Sequence, residues 1–184
     1  MHLDRYDNSD FKRGASKFKE AAWILCKCLF FLSPLPWPSL LRVSLLRLFG
    51  AKVGIQNVIR SGVNISFPWR FVSGDHVWIG EDAAILTLAM VTLGSHVCIS
   101  QKAYLCTGSH DWRKDTFDLI TRPIVVEDEC WVAAQAFVGA GVTVGRGSVV
   151  SAGAVAMKSI PPDSLVTGNP AAIRPKTAKD SPRQ

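Results

Sequence analysis

From Val53 to Ala156 the chain returns to an apolar side chain at intervals of six. The clearest register runs Val126, Val132, Val138, Val144, Val150 and Ala156 without a slip. Four residues after the first five of these stand Cys130, Ala136, Val142, Ser148 and Ala154, mostly small, and Gly139 and Gly145 directly follow two of the valines. Upstream the same phase reads Ile79-Gly80 with Ala83, Ile85 with Ala89, Leu93-Gly94 with Val97, Ile99 with Ala103, and Leu105 with Ser109; Val53-Gly54, Ile59 and Ile65 begin it. The register slips by two between Ile65 and Ile79, and again between Ile85 and Leu93. A period of six fits neither a helix, which repeats near 3.6, nor a plain strand, which repeats at about 2. It predicts a triangular coil in which each hexapeptide supplies a short strand and a turn. The aliphatic points into the prism and the small residue fills the tight corner. Strands stack about 4.8 Å apart on the coils above and below, so the core is buried only by stacking. The slips of two are expected at corners. The fold class is mainly β, a parallel β-helix over residues 51–160.

Residues 1–50 follow a different pattern. Between Ala21 and Leu32 only Lys27 is charged, and a breaker follows, Ser33-Pro34-Leu35-Pro36-Trp37-Pro38. Ser39 is placed to cap a second helix running to Phe49, with Gly50 at its end. Twelve helical residues span roughly 18 Å, short of the roughly 30 Å of bilayer hydrocarbon. Both segments are more apolar than surface helices need. Two readings stay open for 21–49: packing on the main domain or a neighbouring subunit, or lying in a membrane interface with Trp23, Trp37 and basic residues at headgroup level. Residues 161–184 form a C-terminal extension whose tail, from Lys176, is expected to fray.

Composition changes this picture little. A chain of 184 residues holds one domain and an appendage. The net charge of +6 favours acidic partners, but nothing beyond the charge supports nucleic acid, and none is predicted. The five cysteines (Cys26, Cys28, Cys98, Cys106 and Cys130) match no zinc-ribbon or redox spacing and read as small buried residues in a reducing compartment. Asp4, Asp7 and Asp10 precede the apolar stretch, unlike a cleavable signal. The expected location is cytoplasmic, at the inner face of the membrane if 21–49 meets lipid.

The repeats are interrupted once. Leu105-Cys106-Thr107-Gly108-Ser109-His110-Asp111 leads into a non-repetitive excursion over 111–123, after which Cys130-Trp131-Val132-Ala133-Ala134 resumes the period. Ile160-Pro161-Pro162 then leads to Gly168-Asn169-Pro170-Ala171. This order resembles the hexapeptide-repeat O-acetyltransferases, whose coils wind left-handed against the usual crossover rule. Within that family it is similar to the maltose and galactoside branch, and most similar to the colanic acid biosynthesis acetyltransferases, which share the Ser109-His110-Asp111 loop and the apolar run from Leu45 to Gly54.

The resemblance implies acetyl transfer from acetyl-CoA to a sugar hydroxyl, of an exopolysaccharide or its precursor, in a homotrimer with active sites between subunits. It gives His110 the role of general base and the Ala134 N–H that of oxyanion donor. The chemistry agrees. A sugar hydroxyl needs a base during attack, and histidine titrates near working pH and contributes roughly 10²–10⁴-fold. The thioester carries its own leaving group, so no covalent enzyme intermediate is required, and the developing oxyanion needs a donor. For the donor substrate the resemblance points to Trp131, Ala134, Ala152, Met157 and Lys158, with Asn169 and Arg174 nearer adenine and phosphates. One departure concerns the acceptor. Related enzymes position it with an asparagine whose place, counted back from His110, falls on Gly80. Glu81 and Asp82 follow it, and with Asp111 they are the acceptor-side candidates; Asp111 is also placed to orient His110.

Two alternatives remain: a non-catalytic β-helix scaffold, and a zinc-dependent β-helix enzyme with histidines shared between subunits. His76, His96 and His110 are separated by 20 and 14 residues. Against a nominal coil of eighteen they are not expected to stack, and no metal is predicted.

Overall fold

The computed structural model describes residues 2–177 and Asp180. From residue 51 the chain winds a three-sided prism of about six turns. The first face carries β1 (Lys52–Val53), β4 (Phe71–Ser73), β7 (Val91–Leu93), β12 (Ile124–Val126) and β15 (Thr143–Val144). The second carries β2 (Val58–Ile59), β5 (Trp78–Ile79), β8 (Cys98–Ile99), β13 (Trp131–Val132), β16 (Val149–Val150) and β18 (Ser164–Thr167). The third carries β3 (Asn64–Ile65), β6 (Ala84–Leu86), β9 (Tyr104–Cys106), β14 (Phe137–Val138) and β17 (Val155–Ala156). All three sheets are parallel, until an antiparallel strand, β19 (Ala172–Pro175), closes the second on β18.

The hexapeptide phase sets which side chains enter the core. Ile59, Ile79, Ile99, Val132 and Val150 form one buried ladder, and Ile65, Ile85, Leu105, Val138 and Ala156 another. Cys130, Ala136, Val142, Ser148 and Ala154 are buried at the corners. Ser109 leaves the phase: it is exposed in the excursion, because the register ends at the buried Thr107.

The slips of two lengthen the early coils. Val58 pairs with Trp78 and Trp78 with Cys98, twenty residues per coil, whereas Trp131 pairs with Val149 after eighteen. His76 and His96, one coil apart, therefore do stack, with ring centroids 4.9 Å apart and planes 10° from parallel. The contrary expectation took eighteen residues for every coil. Both histidines sit at corners with φ of 57° and 58°, on the same ladder as Gln56 and Glu129. This left-handed conformation aims their side chains at solvent, where both are exposed.

The β-helix runs past residue 160. Ile160 bridges to Val144, and β18 pairs with β16 to begin a sixth coil. Lys176 N–H donates to the Asp163 carbonyl at 2.7 Å, so the tail is tied at its start. Thr177 N–H donates to Asp180 Oδ2 at 2.8 Å, and the rest of the tail expected to fray, Asp180 apart, belongs to 178–184, outside the described residues.

Two helices close the other end. α1 (Lys17–Phe30) begins at Ser16, whose Oγ accepts from Lys19 N–H at 3.3 Å. α2 (Ser39–Leu48) begins at Pro38. Ser39 does not cap it. Its Oγ accepts from the Ile59 N–H at 2.7 Å, so the hydroxyl serves the sheet edge. That edge would otherwise leave backbone groups of the first coil unpaired. Trp23 Nε1 donates to the Ile65 carbonyl at 3.0 Å, Arg42 Nη1 to Ile59 at 3.2 Å and Arg47 Nε to Val53 at 3.0 Å, while Gly62 N–H donates to Phe31 at 2.7 Å. Trp23, Phe31 and Leu46 are fully buried beneath the cap. The inward faces of 21–49 thus pack on the prism. Among the cysteines, Cys26 and Cys130 are buried, Cys98 and Cys106 half-buried and Cys28 exposed. Cys28 departs from the buried reading because it lies on the outward face of α1.

The segment before α1 is also tied down. His2 N–H donates to the Asp115 carbonyl at 2.8 Å in the excursion, and Trp69 Nε1 to the Arg13 carbonyl at 2.8 Å, so His2 is not in a loose start.

Candidate active site

The excursion leaves the prism at the corner after β9. It is a hairpin rather than an irregular loop: β10 (Gly108–His110) pairs antiparallel with β11 (Leu119–Thr121), and His110 stands opposite Leu119 on the last rung. Thr107 anchors its base through Oγ1, which donates to the Leu86 carbonyl at 2.5 Å and accepts from Ala89 N–H at 3.0 Å. His110 is half-buried. Its Nδ1–H donates to the Phe117 carbonyl at 2.9 Å, because a carbonyl can only accept. In the neutral ring that bond places the lone pair on Nε2, which has no hydrogen-bond partner among the described residues. The imidazole lies parallel on the Phe117 ring, centroids 4.2 Å apart, and the Tyr6 ring meets it edge-on at 5.6 Å. The imidazole is thus held by one hydrogen bond and by two ring contacts. Asp111 is turned away. Its Oδ1 accepts from Arg113 N–H and Nε, both at 3.2 Å, and the guanidinium first, then the N–H, holds this carboxyl below the usual carboxylate range.

On the corner between the second and third faces, Trp131, Ala134 and Ala152 line one groove of 540 Å³ with Ala133, Ser151 and Leu165. The indole is half exposed, and its Nε1 donates to Ser100 Oγ at 2.8 Å. The Ala134 carbonyl accepts from Gly153 N–H at 3.0 Å, while the Ala134 N–H has no acceptor among the described residues. Beyond that corner, Met157, Lys158 and Asn169 line a second depression of 220 Å³ with Pro170 and Ala171. Lys158 is exposed and has no ion-pair partner among the described residues. Narrow, small-residue walls, a free N–H and an unpaired cation suit an extended thioester substrate with phosphates at one end.

The sequence is 43% identical over 165 residues, 88% of each chain, to the Escherichia coli K12 protein named as colanic acid biosynthesis acetyltransferase WcaF. The fold matches the hexapeptide-repeat-containing acetyltransferase VCA0836 of Vibrio cholerae O1 biovar eltor, solved in complex with acetyl-coenzyme A. The identity is 30%, the coverage 89% of this chain and 92% of that one, and the TM-score 0.79. The chain belongs to the hexapeptide-repeat acetyltransferases. It is an acetyl-CoA-dependent acyltransferase. A galactoside acetyltransferase solved with coenzyme A, 24% identical over 89% of this chain and 83% of that one, shares the fold with a TM-score of 0.78. No family model matches the chain.

Among the residues that the sequence singled out for this acetyltransferase, the structure makes two groups and leaves five outside both: His110, Asp111, Arg174, Glu81 and Asp82. Trp131, Ala134 and Ala152 share one groove; Met157, Lys158 and Asn169 share the next. Arg174, on β19, is held by Asp180 through bonds of 2.8 and 2.6 Å and lines neither. Glu81 and Asp82 lie two coils from Ala134 on the same corner, not beside His110. Glu81 bonds Arg60 at 2.6 Å, which lowers its pKa, and Asp82 takes the left-handed corner conformation with φ of 58°. Sequence reasoning missed Phe117 and Tyr6. The decisive atom of Phe117 is a backbone oxygen, which no side-chain pattern announces, and Tyr6 reaches His110 only through the tertiary path of the first residues. Among the described residues no group of three or more His, Cys, Asp or Glu side chains is placed to hold a metal.

Proposed function

We propose that this acetyltransferase moves acetyl from acetyl-CoA to a sugar hydroxyl of an exopolysaccharide or its precursor, by direct attack with His110 as general base. The observation that carries the reading is the Nδ1–H bond from His110 to the Phe117 carbonyl at 2.9 Å, which in the neutral ring puts the lone pair on Nε2, a nitrogen with no hydrogen-bond partner among the described residues. In the proposed step the hydroxyl oxygen forms a bond to the thioester carbonyl carbon while its proton passes to Nε2. The Ala134 N–H meets the charge that develops on the carbonyl oxygen. The carbon–sulfur bond breaks, and the thiolate takes the proton from Nε2. Trp131, Ala134 and Ala152 would hold the pantetheine arm, and Met157, Lys158 and Asn169 the nucleotide end.

A sugar acceptor has support beside the hairpin. Asp7, Asn8 and Asp10 of the first segment face Asp118 and Thr121 across a depression of 480 Å³. Carboxylates, an amide and a hydroxyl are the groups that bind sugar hydroxyls. The name of the Escherichia coli relative points to an exopolysaccharide.

His110 and Ala134 stand on different corners of one prism, with the third face between them. One chain therefore does not join base and oxyanion donor, and we propose a homotrimer in which the hairpin of one subunit meets the Ala134 corner of the next. The proposed location is the cytoplasm, where acetyl-CoA is made. The test is thiol release from acetyl-CoA that depends on an added glycan and yields a sugar acetyl ester by mass spectrometry. Release that ignores the glycan contradicts the proposal.

A further inference from the structure

The helical cap has two apolar faces, and only one is used. Outward from the prism, α1 presents Phe18, Ala21, Leu25, Cys28 and Leu29 at the three- and four-residue spacing of one helical stripe, and the exposed Leu32 follows just past its end. α2 adds Leu40 and Leu48, with Ser44 between them. Phe18, Leu40 and Leu48 are three-quarters or more exposed. An apolar stripe of this extent on a folded protein marks a surface that something covers. It lies on the base of the prism, whereas the grooves and the hairpin lie on its sides.

Charge identifies the covering. No Asp or Glu occurs between Glu20 and Asp75, while Lys27, Arg42, Arg47, Lys52, Arg60 and Arg70 do. Those six account for the whole net charge of +6, and the rest of the chain is balanced. Among the described residues Arg60 alone of the six pairs with a carboxylate, Glu81. Arg42 is buried, and its Nη2 is the buried side-chain polar atom left without a partner among the described residues. Arg42 and Arg60 line a depression of 340 Å³ with Trp37, Ser39 and Ser61, beside the exposed Leu35 of the inter-helix turn. The Arg42 guanidinium donates to the carbonyls of Phe30, Trp37 and Ile59 but has no carboxylate partner among the described residues, and an anion in this depression would supply its counter-charge. Leucines accompanied by cations that, Arg60 apart, have no carboxylate partner among the described residues match the acyl boundary and phosphates of a bilayer, not a neutral apolar partner. The helices have 14 and 10 residues, roughly 21 and 15 Å at about 1.5 Å per residue. No helix among the described residues is long and apolar enough to cross a membrane, so they would lie in its plane.

We infer that the outward face of α1 and α2 docks on an anionic bilayer, with lipid phosphates seated beside Arg42 and Arg60. The docking does not depend on the acetyl-transfer reading. If the trimer proposed above forms, three caps face one way and their contacts add by avidity.

The test is co-sedimentation of the full-length protein with vesicles of phosphatidylcholine alone and of phosphatidylcholine mixed with phosphatidylglycerol. The protein is expected to sediment with the mixed vesicles, to release as salt is raised, and to remain in solution with phosphatidylcholine alone. Leu25→Glu with Leu29→Glu, and separately Leu40→Glu with Leu48→Glu, are expected to weaken binding by about tenfold or more while thiol release in solution stays at the parental rate. These positions face solvent, and two independent pairs guard against a folding defect in either. Parent protein that ignores mixed vesicles, equal capture by phosphatidylcholine alone, or folded pairs that bind like the parent would each overturn the inference.

Discussion

The Phe117 carbonyl accepts a hydrogen bond from the His110 Nδ1–H at 2.9 Å, and this bond decides which ring nitrogen would serve in the proposed base role. A neighbouring carboxylate is the usual candidate for that task, and Asp111 adjoins His110 in sequence. Its oxygen bonds Arg113 instead, and Asp111 lies just past the end of β10, the strand that carries His110. Asp111→Asn is therefore expected to change kcat by no more than about twofold, the size of an ordinary surface substitution. A drop of several orders of magnitude in the folded variant would return the orienting role to Asp111. At this scale the sequence disclosed the histidine but not its partner. His110 stood out through the family resemblance that Gly108-Ser109-His110-Asp111 carries, at the point where the period breaks. Phe117 acts through its backbone, after the hairpin has turned, and nothing in its side-chain type signals that.

At the scale of elements, the period of six was enough to place the strands, because one inward aliphatic per hexapeptide is a steric demand of the coil. It also carried the two-residue slips, which lengthen the early coils and stack His76 on His96. The helices were harder. Apolar residues all round 21–32 fit burial and lipid contact equally, and only the structure separates the inward Trp23, Cys26 and Phe31 from the outward Leu25, Leu29 and Leu32. Trp23 is fully buried, packs edge-on against Phe31 at 5.2 Å and holds the Ile65 carbonyl. Trp23→Ala is expected to cost about 3–5 kcal/mol, by analogy with other buried aromatic truncations. Urea unfolding checks this: a midpoint unchanged from the parent would mean that the cap does not stabilise the first coil.

The whole molecule divides its work by direction. Along the prism axis, the cap end carries the net charge and the opposite end is closed by the antiparallel strand β19. Around the axis, His110 and Ala134 sit on different corners, so the proposed site needs two chains. A cyclic trimer is expected in sedimentation equilibrium, and a stable monomer that turns over acetyl-CoA would refute the shared site. None of this division could be read from spacing alone, since the corner from which an excursion leaves depends on the count of residues in every preceding coil. The central claim is that His110 removes the acceptor proton, and the most direct measurement is the pH dependence of kcat for glycan-dependent thiol release by the parent and by His110→Ala. The parent rate should fall at acid pH through one protonation. The variant should lose about two to four orders of magnitude in kcat and show no such limb, with the KM for acetyl-CoA little changed and His76→Ala and His96→Ala near the parent. A folded, trimeric His110→Ala enzyme that keeps both the parental rate and the acid limb would contradict the account.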